Sequence, residues 1–110
     1  MKHYDILIIT KENIDLSPLS DINYLIINNG VSHELNIYND KDNTFTYDYL
    51  ITDDNNVLNN FDLLKDDDYY ITNCFFQSTI DEIFIIGKLN KSNFDINHQI
   101  SVIIEYLLGY

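Results

Sequence analysis

The stretch Tyr4-Asp5-Ile6-Leu7-Ile8-Ile9-Thr10 decides the predicted fold. It is short, almost continuously apolar and mostly β-branched, which is typical of a strand buried on both faces. Tyr24-Leu25-Ile26-Ile27 and Ile83-Phe84-Ile85-Ile86 have the same character, and Gly87 closes the second of them. Buried strands are therefore predicted at residues 4–10, 24–27 and 83–86.

The middle of the chain predicts shorter and more exposed strands. Residues 34–38 alternate between polar and apolar, and residues 39–43 resemble a hairpin loop that leads into a strand at 45–51. Asp66-Asp67-Asp68 predicts a turn into a short strand at 69–72. Residues 53–56 are predicted to form a loop, and residues 57–64 are compatible with a short helical turn. The polar segment 11–21, which holds Pro18, does not predict a full helix.

The last part of the chain carries the clearest helix signal. The apolar residues that fall on one helical stripe are Ile100, Ile103, Ile104, Leu107 and Leu108. Asp95 or Asn97 can cap the start of this helix, and Gly109 is placed to end it. The prediction is an α+β fold over residues 1–110 as one domain, with a small, mostly β, mixed sheet and one C-terminal helix packed on it.

The charge of the chain restricts the classes of partner. Among 110 residues, Lys plus Arg number 6 and Asp plus Glu 18, which gives a formal net charge of −12, and all the basic residues are lysines. Nucleic-acid binding requires clustered cations, so a direct nucleic-acid partner is not expected. A basic protein surface or a small neutral ligand suits this charge better.

The sequence also predicts a cytoplasmic protein without membrane contact. No apolar run approaches the roughly 20 residues of a membrane helix, and the apolar run 6–9 is too short for a signal peptide. Cys74 is the single cysteine and cannot form an internal disulfide. No Lys or His lies near it in sequence, so a buried and inert thiol is expected.

Four segments, taken in order, resemble parts of the FAD-binding domain of thioredoxin-reductase-like flavoproteins. Residues 4–9 resemble its opening strand, and residues 47–56 resemble the strand and loop that return to it from the pyridine-nucleotide domain. Residues 68–73 and 78–88 are similar to the stretch from its Gly-Tyr-Ile-x-Thr-Asp turn to its Gly-Ile-Phe-Ala-x-Gly-Asp motif. His98-Gln99 resembles the Arg-Gln pair that opens its last helix. The resemblance covers about residues 45–108 and, weakly, 4–9.

The departures from that family fall on its cofactor contacts. Residues 10–14 contain no glycine where the family has its glycine-rich turn, and Lys88 stands where the family has the aspartate that binds the ribityl chain. Ile85 and Ile86 replace its small alanines, and its redox Cys-x-x-Cys is missing. The resemblance therefore implies a shortened, degenerate Rossmann-like remnant. Such a remnant would have adjacent, parallel first and last strands and the last helix across them, and would most simply hold no cofactor.

The alternative is a small flavin- or nucleotide-binding protein related to redox chemistry, with FAD or FMN as the cofactor. The resemblance would make Gly87, Lys88, His98 and Gln99 its contacts. The N-terminus of a helix offers free N–H groups and positive potential to a ring carbonyl. An ordinary capped helix over an ordinary core explains the same residues without a ligand.

No metal site is predicted. His3, His33 and His98 lack the spacing of metal ligands. The acidic segment that begins at Asp40 has Phe45 where a calcium-binding EF-hand loop needs glycine, and the other acidic segments lack that glycine as well. These segments are better explained as solvated loops, and no set of residues with catalytic spacing emerges.

The aromatic residues suggest a partner-binding surface instead. The tyrosines expected to line an exposed sheet face are Tyr38, Tyr47, Tyr49, Tyr69 and Tyr70. Cross-strand packing within the chain is an equally good explanation of them. The function predicted first is a non-catalytic interaction or accessory protein that binds a partner protein, or a second copy of itself, through this face and its acidic loops. A further alternative is an acidic decoy that inhibits a nucleic-acid-binding protein.

Overall fold

A five-stranded mixed sheet forms the centre of the structure, a computed structural model that describes residues 2–28, 34–39 and 44–109. Its strands are β1 (Lys2–Ile9), β2 (Tyr24–Ile27), β3 (Ile37–Asn39), β4 (Thr44–Thr52) and β7 (Ile83–Ile85). Strands β2, β1, β4 and β7 are parallel neighbours in that order, and β3 is antiparallel to β4. The predicted α+β class, a mixed sheet with one C-terminal helix, is confirmed.

Strand β4 organises the sheet because it is long enough to pair with three others. One edge of β4 lies along β1, while the other edge pairs with β3 at its start and with β7 at its end. The expectation that the first and last strands would be adjacent is therefore wrong: they are parallel, but β4 lies between them.

The hairpin of β3 and β4 is confirmed, although β3 is shorter than predicted. Asn36 has a left-handed backbone (φ 69°), which interrupts the extended conformation before Ile37. The Asn36 side chain donates to the backbone carbonyl of Tyr47 at 3.0 Å and so ties the bend to β4. Most of the predicted hairpin loop at 39–43 lies outside the described residues, as does His33.

A second, two-stranded hairpin lies beside the main sheet and consists of β5 (Lys65–Asp66) and β6 (Tyr69–Tyr70). Asp67 adopts φ 55° at its turn, a conformation that Asp tolerates better than most residues. The predicted turn at 66–68 is confirmed. The loop predicted at 53–56 needs correction, because the short helix α1 (Asn55–Leu58) begins inside it. Asp54 caps α1 by accepting from the Asn56 N–H.

The C-terminal helix α2 (Ile96–Leu108) has the predicted caps. The Asp95 carboxylate accepts from the backbone N–H of His98 at 2.9 Å. Gly109 ends the helix in the left-handed conformation (φ 80°), which glycine adopts without a Cβ penalty. Ile100, Ile103 and Ile104 on the apolar stripe are fully or almost fully buried. Each such side chain stabilises the fold by roughly 1.5–3 kcal/mol.

Both faces of the sheet are covered. On one face α2 and the 3-10 turn Ser17–Leu19 pack against alternate residues of the strands, including Ile8, Ile51 and Phe84. On the other face the cover is α1, the small hairpin and the segment near Phe61. The expectation of one open sheet face is therefore wrong, because short and irregular segments provide the second layer. Within the described ranges, no helix has the length and apolar character needed to cross a membrane.

Candidate functional site

A cavity of about 630 Å³ lies where the parallel strands end. Thr10, Asp53 and Gly87 come shortly after the ends of β1, β4 and β7, and the carboxyl ends of parallel strands meet at one edge of a sheet. The N-terminus of α2 lies beside the same edge. The residues that line this strand-end cavity are Glu12, Asp53, Gly87, Lys88, Leu89, Ser92, Asn93, Phe94, Asp95 and Ile96.

Gly87 and Lys88, two of the four predicted flavin contacts, lie in the wall of the strand-end cavity. Gly87 adopts φ +76°, and a Cβ built on it would lie 3.3 Å from the Cβ of Asp53. A glycine at this position therefore allows the chain to turn closely past Asp53 as it leaves β7. Lys88 is exposed.

Gln99, the third predicted contact, is buried (1% exposed) and makes its hydrogen bonds inside the protein. Its Oε1 accepts from the Gly87 backbone N–H at 2.9 Å and from the Asn90 amide at 3.0 Å. Its Nε2 donates to the Phe94 carbonyl at 2.8 Å. Gln99 therefore fixes the loop between β7 and α2 and contributes to the site by positioning the cavity wall.

His98, the fourth predicted contact, is exposed, and its ring centroid lies 4.4 Å from that of Phe94. Phe94 is itself a lining residue of the strand-end cavity and is 59% exposed. The structure thus brings the four predicted residues into one region, with two in the cavity wall, one behind it and one at its outer rim.

The charge of the strand-end cavity is negative. The carboxylates of Glu12, Asp53 and Asp95 line it, opposed by the single cation Lys88 among its lining residues. Asp95 already occupies the N-terminus of α2 with a carboxylate, which uses the positive potential there. A neutral or cationic ligand therefore suits this cavity better than a diphosphate.

The surroundings of Asp53 in the cavity change the pKa of its carboxyl group. Burial raises its pKa from the ordinary value, while the hydrogen bond from the Thr10 hydroxyl at 3.0 Å opposes the rise. The negative charges of Glu12 and Asp54 raise the pKa further. Thr10 also accepts from the Glu12 N–H at 3.1 Å, and its bond to Asp53 links the end of β1 to the end of β4.

The five tyrosines proposed for partner binding do not share an exposed face. Tyr38, Tyr47 and Tyr70 are buried in the core that faces α1, and burial raises the pKa of Tyr47 to about 12. Tyr49 is half-buried on the α2 side, and Tyr69 is 39% exposed at the small hairpin. Successive side chains of a strand point to opposite faces of the sheet. Because both faces are covered, a tyrosine on either face packs against a covering layer.

An aromatic row that includes Tyr49 nevertheless reaches the surface. The ring centroids of Tyr49 and Phe84 are 6.2 Å apart, and those of Phe84 and Tyr106 are 6.1 Å apart. Tyr106 stacks on Phe75 at 4.3 Å with planes inclined by 16°. Phe75 and Tyr106 are 36% and 38% exposed. The sequence pattern missed this pair because Phe75 and Tyr106 belong to a loop and a helix 31 positions apart.

Cys74 lies beside this pair, and the expectation of a buried thiol is wrong because it is exposed. The adjacent Phe76 adopts φ 63° and takes the buried position of the turn. Asn73 accepts from the backbone N–H groups of Phe75 and Gln77, and these bonds hold residues 74 and 75 at the surface.

A cluster of polar residues lies at the end of the sheet opposite the strand-end cavity. His3 and Asp5 on β1 and Asp48 on β4 place their ligand-type atoms within 4.8 Å of one another. The sequence alone offered only the i, i+2 spacing of His3 and Asp5, because the contribution of Asp48 depends on the pairing of β1 with β4. The acidic residues Asp54 and Asp66 have other roles, a helix cap and an ion pair with Lys91 at 2.8 Å.

No family model matches the chain, and no curated protein or solved structure is significantly similar to it. The resemblance to flavoproteins accordingly stays a prediction from the sequence.

Proposed function

We propose that the chain is a protein-binding module, non-catalytic in role, that binds a basic partner surface through the stacked pair Phe75 and Tyr106. The observation that carries the proposal is this pair, whose rings stack at 4.3 Å while each residue is more than a third exposed. Exposed aromatic rings held in a fixed orientation are the usual anchors of protein interfaces, because they bury much area at little entropic cost.

The row behind the pair supports its rigidity. Phe84 is fully buried and contacts Tyr106 from the core side, and Tyr49 lies on the far side of Phe84. The exposed rings are thus continuous with aromatic rings that pack in the interior. A partner that binds them meets a preorganised surface, which lowers the ordering penalty of association.

The negative charge of the chain gives the partner its chemistry. The exposed Glu105 precedes Tyr106 on α2. With a net charge of −12 on the whole chain, association with a basic protein would be steered electrostatically and weakened by salt.

The test is affinity capture from an extract of the native host with three immobilised forms of the chain: wild type, the double variant Phe75→Ser/Tyr106→Ser, and the control Phe94→Ser. Phe94 is a more exposed aromatic residue just before the start of α2, whereas Tyr106 lies near the end of that helix. A basic protein retained by wild type and control, lost in the double variant and released by salt supports the proposal. Equal retention by all three forms contradicts it.

The strand-end cavity favours a second candidate function, binding of a small ligand. Its position at the carboxyl ends of parallel strands is where ligands of such sheets bind. If the ligand is a flavin, the carboxylates of Glu12, Asp53 and Asp95 favour neutral riboflavin over FMN or FAD. Thermal unfolding with each flavin in large excess tests this, because a ligand of the native state raises the unfolding temperature. No shift with any of the three excludes useful flavin binding.

A further inference from the structure

We infer that His3, Asp5 and Asp48 form a binding site for a divalent transition-metal ion, with Zn²⁺ as the reference ion. Because β1 and β4 are parallel neighbours with His3 opposite Thr46, the side chains of His3 and Asp5 project beside that of Asp48. This site is separate from the aromatic pair and from the strand-end cavity, so the inference does not depend on the proposed function.

The distances suit a metal ion. His3 Nε2 lies 3.2 Å from Asp48 Oδ2. Two ligand atoms bound to tetrahedral zinc at about 2.0–2.1 Å are roughly 3.3 Å apart, so this pair already has the separation that zinc requires. Asp5 is exposed and has a carboxylate oxygen within 4.8 Å of a ligand atom of each of the other two residues, so rotation of its side chain can complete a three-ligand set.

Thr46 provides the support that a metal-binding histidine needs. Its hydroxyl oxygen lies 2.7 Å from His3 Nδ1. Metal-bound imidazoles donate their other ring N–H to an oxygen atom, which fixes the tautomer and the orientation of the ring. With Nδ1–H donating to Thr46, the lone pair of Nε2 faces the Asp48 carboxylate, and a cation between the two removes the repulsion of the facing acceptors.

The metal-free state has a simple description as well. The Thr46 hydroxyl can rotate to donate to Nδ1, which lets Nε2–H donate to Asp48. Metal binding then requires only this change of tautomer and a small rotation of exposed side chains. The ligands lie on two paired strands of the main sheet, so the backbone is already in position.

The donor set selects the class of metal. One imidazole and two carboxylates suit zinc and its first-row neighbours better than Mg²⁺ or Ca²⁺, which favour oxygen ligands only. Two carboxylates balance the charge of a divalent ion, and the net charge of −12 raises the local concentration of cations. Three protein ligands leave at least one coordination position open for water or for a group from a partner.

The experiment is isothermal titration of the tag-free chain with ZnCl₂ in a buffer that does not bind metals. A polyhistidine tag must be removed, because it would add ligands of its own. The variants are His3→Gln, Asp48→Asn and Thr46→Val, and the controls are His98→Gln and Asp81→Asn, which change exposed groups elsewhere. The unfolding temperature of each apo variant verifies that the fold is retained.

We expect one Zn²⁺ per chain, retained by both controls. His3→Gln and Asp48→Asn should abolish this binding, and Thr46→Val should weaken it by about tenfold or more, as loss of a second-layer hydrogen bond does. Absence of binding to the wild-type chain overturns the inference. So does equal binding by His3→Gln and His98→Gln, or by Ca²⁺ and Zn²⁺, since these results would indicate only a diffuse acidic surface.

Discussion

The side chain of Gln99 accepts a hydrogen bond from the backbone N–H of Gly87 at 2.9 Å and thereby joins the start of the C-terminal helix to the end of the last strand. The same oxygen accepts from Asn90, whose amide also donates to the Ile85 carbonyl at 2.8 Å. This buried network holds the wall of the strand-end cavity in place. It explains why a glutamine occupies a fully buried position on an otherwise apolar helix face.

Replacement of Gln99 by alanine should destabilise the protein by about 2–4 kcal/mol, because it leaves the Gly87 N–H and the Phe94 carbonyl without their partner inside the protein. Urea unfolding measures the change. His98→Ala, an exposed neighbour on the same helix, is the control and should alter stability by less than about 0.5 kcal/mol. Similar losses in the two variants would contradict the structural role given to Gln99.

Gly87→Ala should be more destabilising than Gly109→Ala. Both glycines have a left-handed backbone, with φ +76° and φ +80°, so each substitution costs about 1 kcal/mol in conformational energy. Of the two, only Gly87 would bring an added Cβ against another atom, the Cβ of Asp53 at 3.3 Å, whereas no other described residue has an atom within 4 Å at Gly109.

The loss of unfolding free energy in Gly87→Ala minus the loss in Gly109→Ala therefore measures the cost of the close contact with Asp53. Equal values would show that the loop relaxes without penalty. A shift of Asp53 in the Gly87→Ala variant would also be visible as a changed acid limb in the pH dependence of stability.

Asp53→Asn should stabilise the protein at neutral pH, and the gain should disappear in acid. Burial raises the pKa of Asp53 in the folded state, so the folded state binds this proton more tightly than the unfolded chain does. Ionisation of Asp53 therefore lowers stability as pH rises through the unfolded and then the raised folded pKa. Below both values wild type and variant should converge.

Thermal unfolding from acid to neutral pH checks this, with Asp81→Asn, an exposed acid, as the control. The Thr10 hydroxyl can donate to the amide oxygen of the asparagine as it does to the carboxylate, so the hydrogen bond itself is preserved. A variant that is less stable than wild type at neutral pH would contradict the assignment of burial as the dominant cause.

The phenol of Tyr47 should ionise well above the ordinary range of tyrosine in an alkaline titration followed by ultraviolet absorbance. Burial raises its pKa to about 12, whereas the unfolded chain loses this proton near the ordinary value of about 10. Stability should consequently fall as pH rises between these two values, because the unfolded state releases the proton first.

Tyr47→Phe should remove the component of that titration near pH 12, and the exposed control Tyr69→Phe should leave it in place. If a component near pH 12 survives in Tyr47→Phe, it belongs to a different tyrosine, and the assignment to Tyr47 is wrong.

Much of the local structure could be predicted from the sequence, and the sites could be predicted only in part. The spacing of Ile100, Ile103 and Ile104 with Asp95 before them and Gly109 after them predicted both ends of α2. Residues 83–87 predicted the strand that leads into the strand-end cavity. The tyrosines were misplaced because alternation along a strand shows that two faces exist and does not reveal that both are covered.

The sequence by itself determined the elements whose signals lie within a few residues of one another: the apolar strands, the turn at Asp67 and the capped final helix. The tertiary structure alone decided which distant residues meet. Thr10 and Asp53 are 43 positions apart and hydrogen-bonded, and the pairing of β1 with β4 also brings Asp48 to His3. The physical reason is that backbone preference and hydrophobic period act locally. The order of the strands, by contrast, follows from the burial of the whole sheet between two layers.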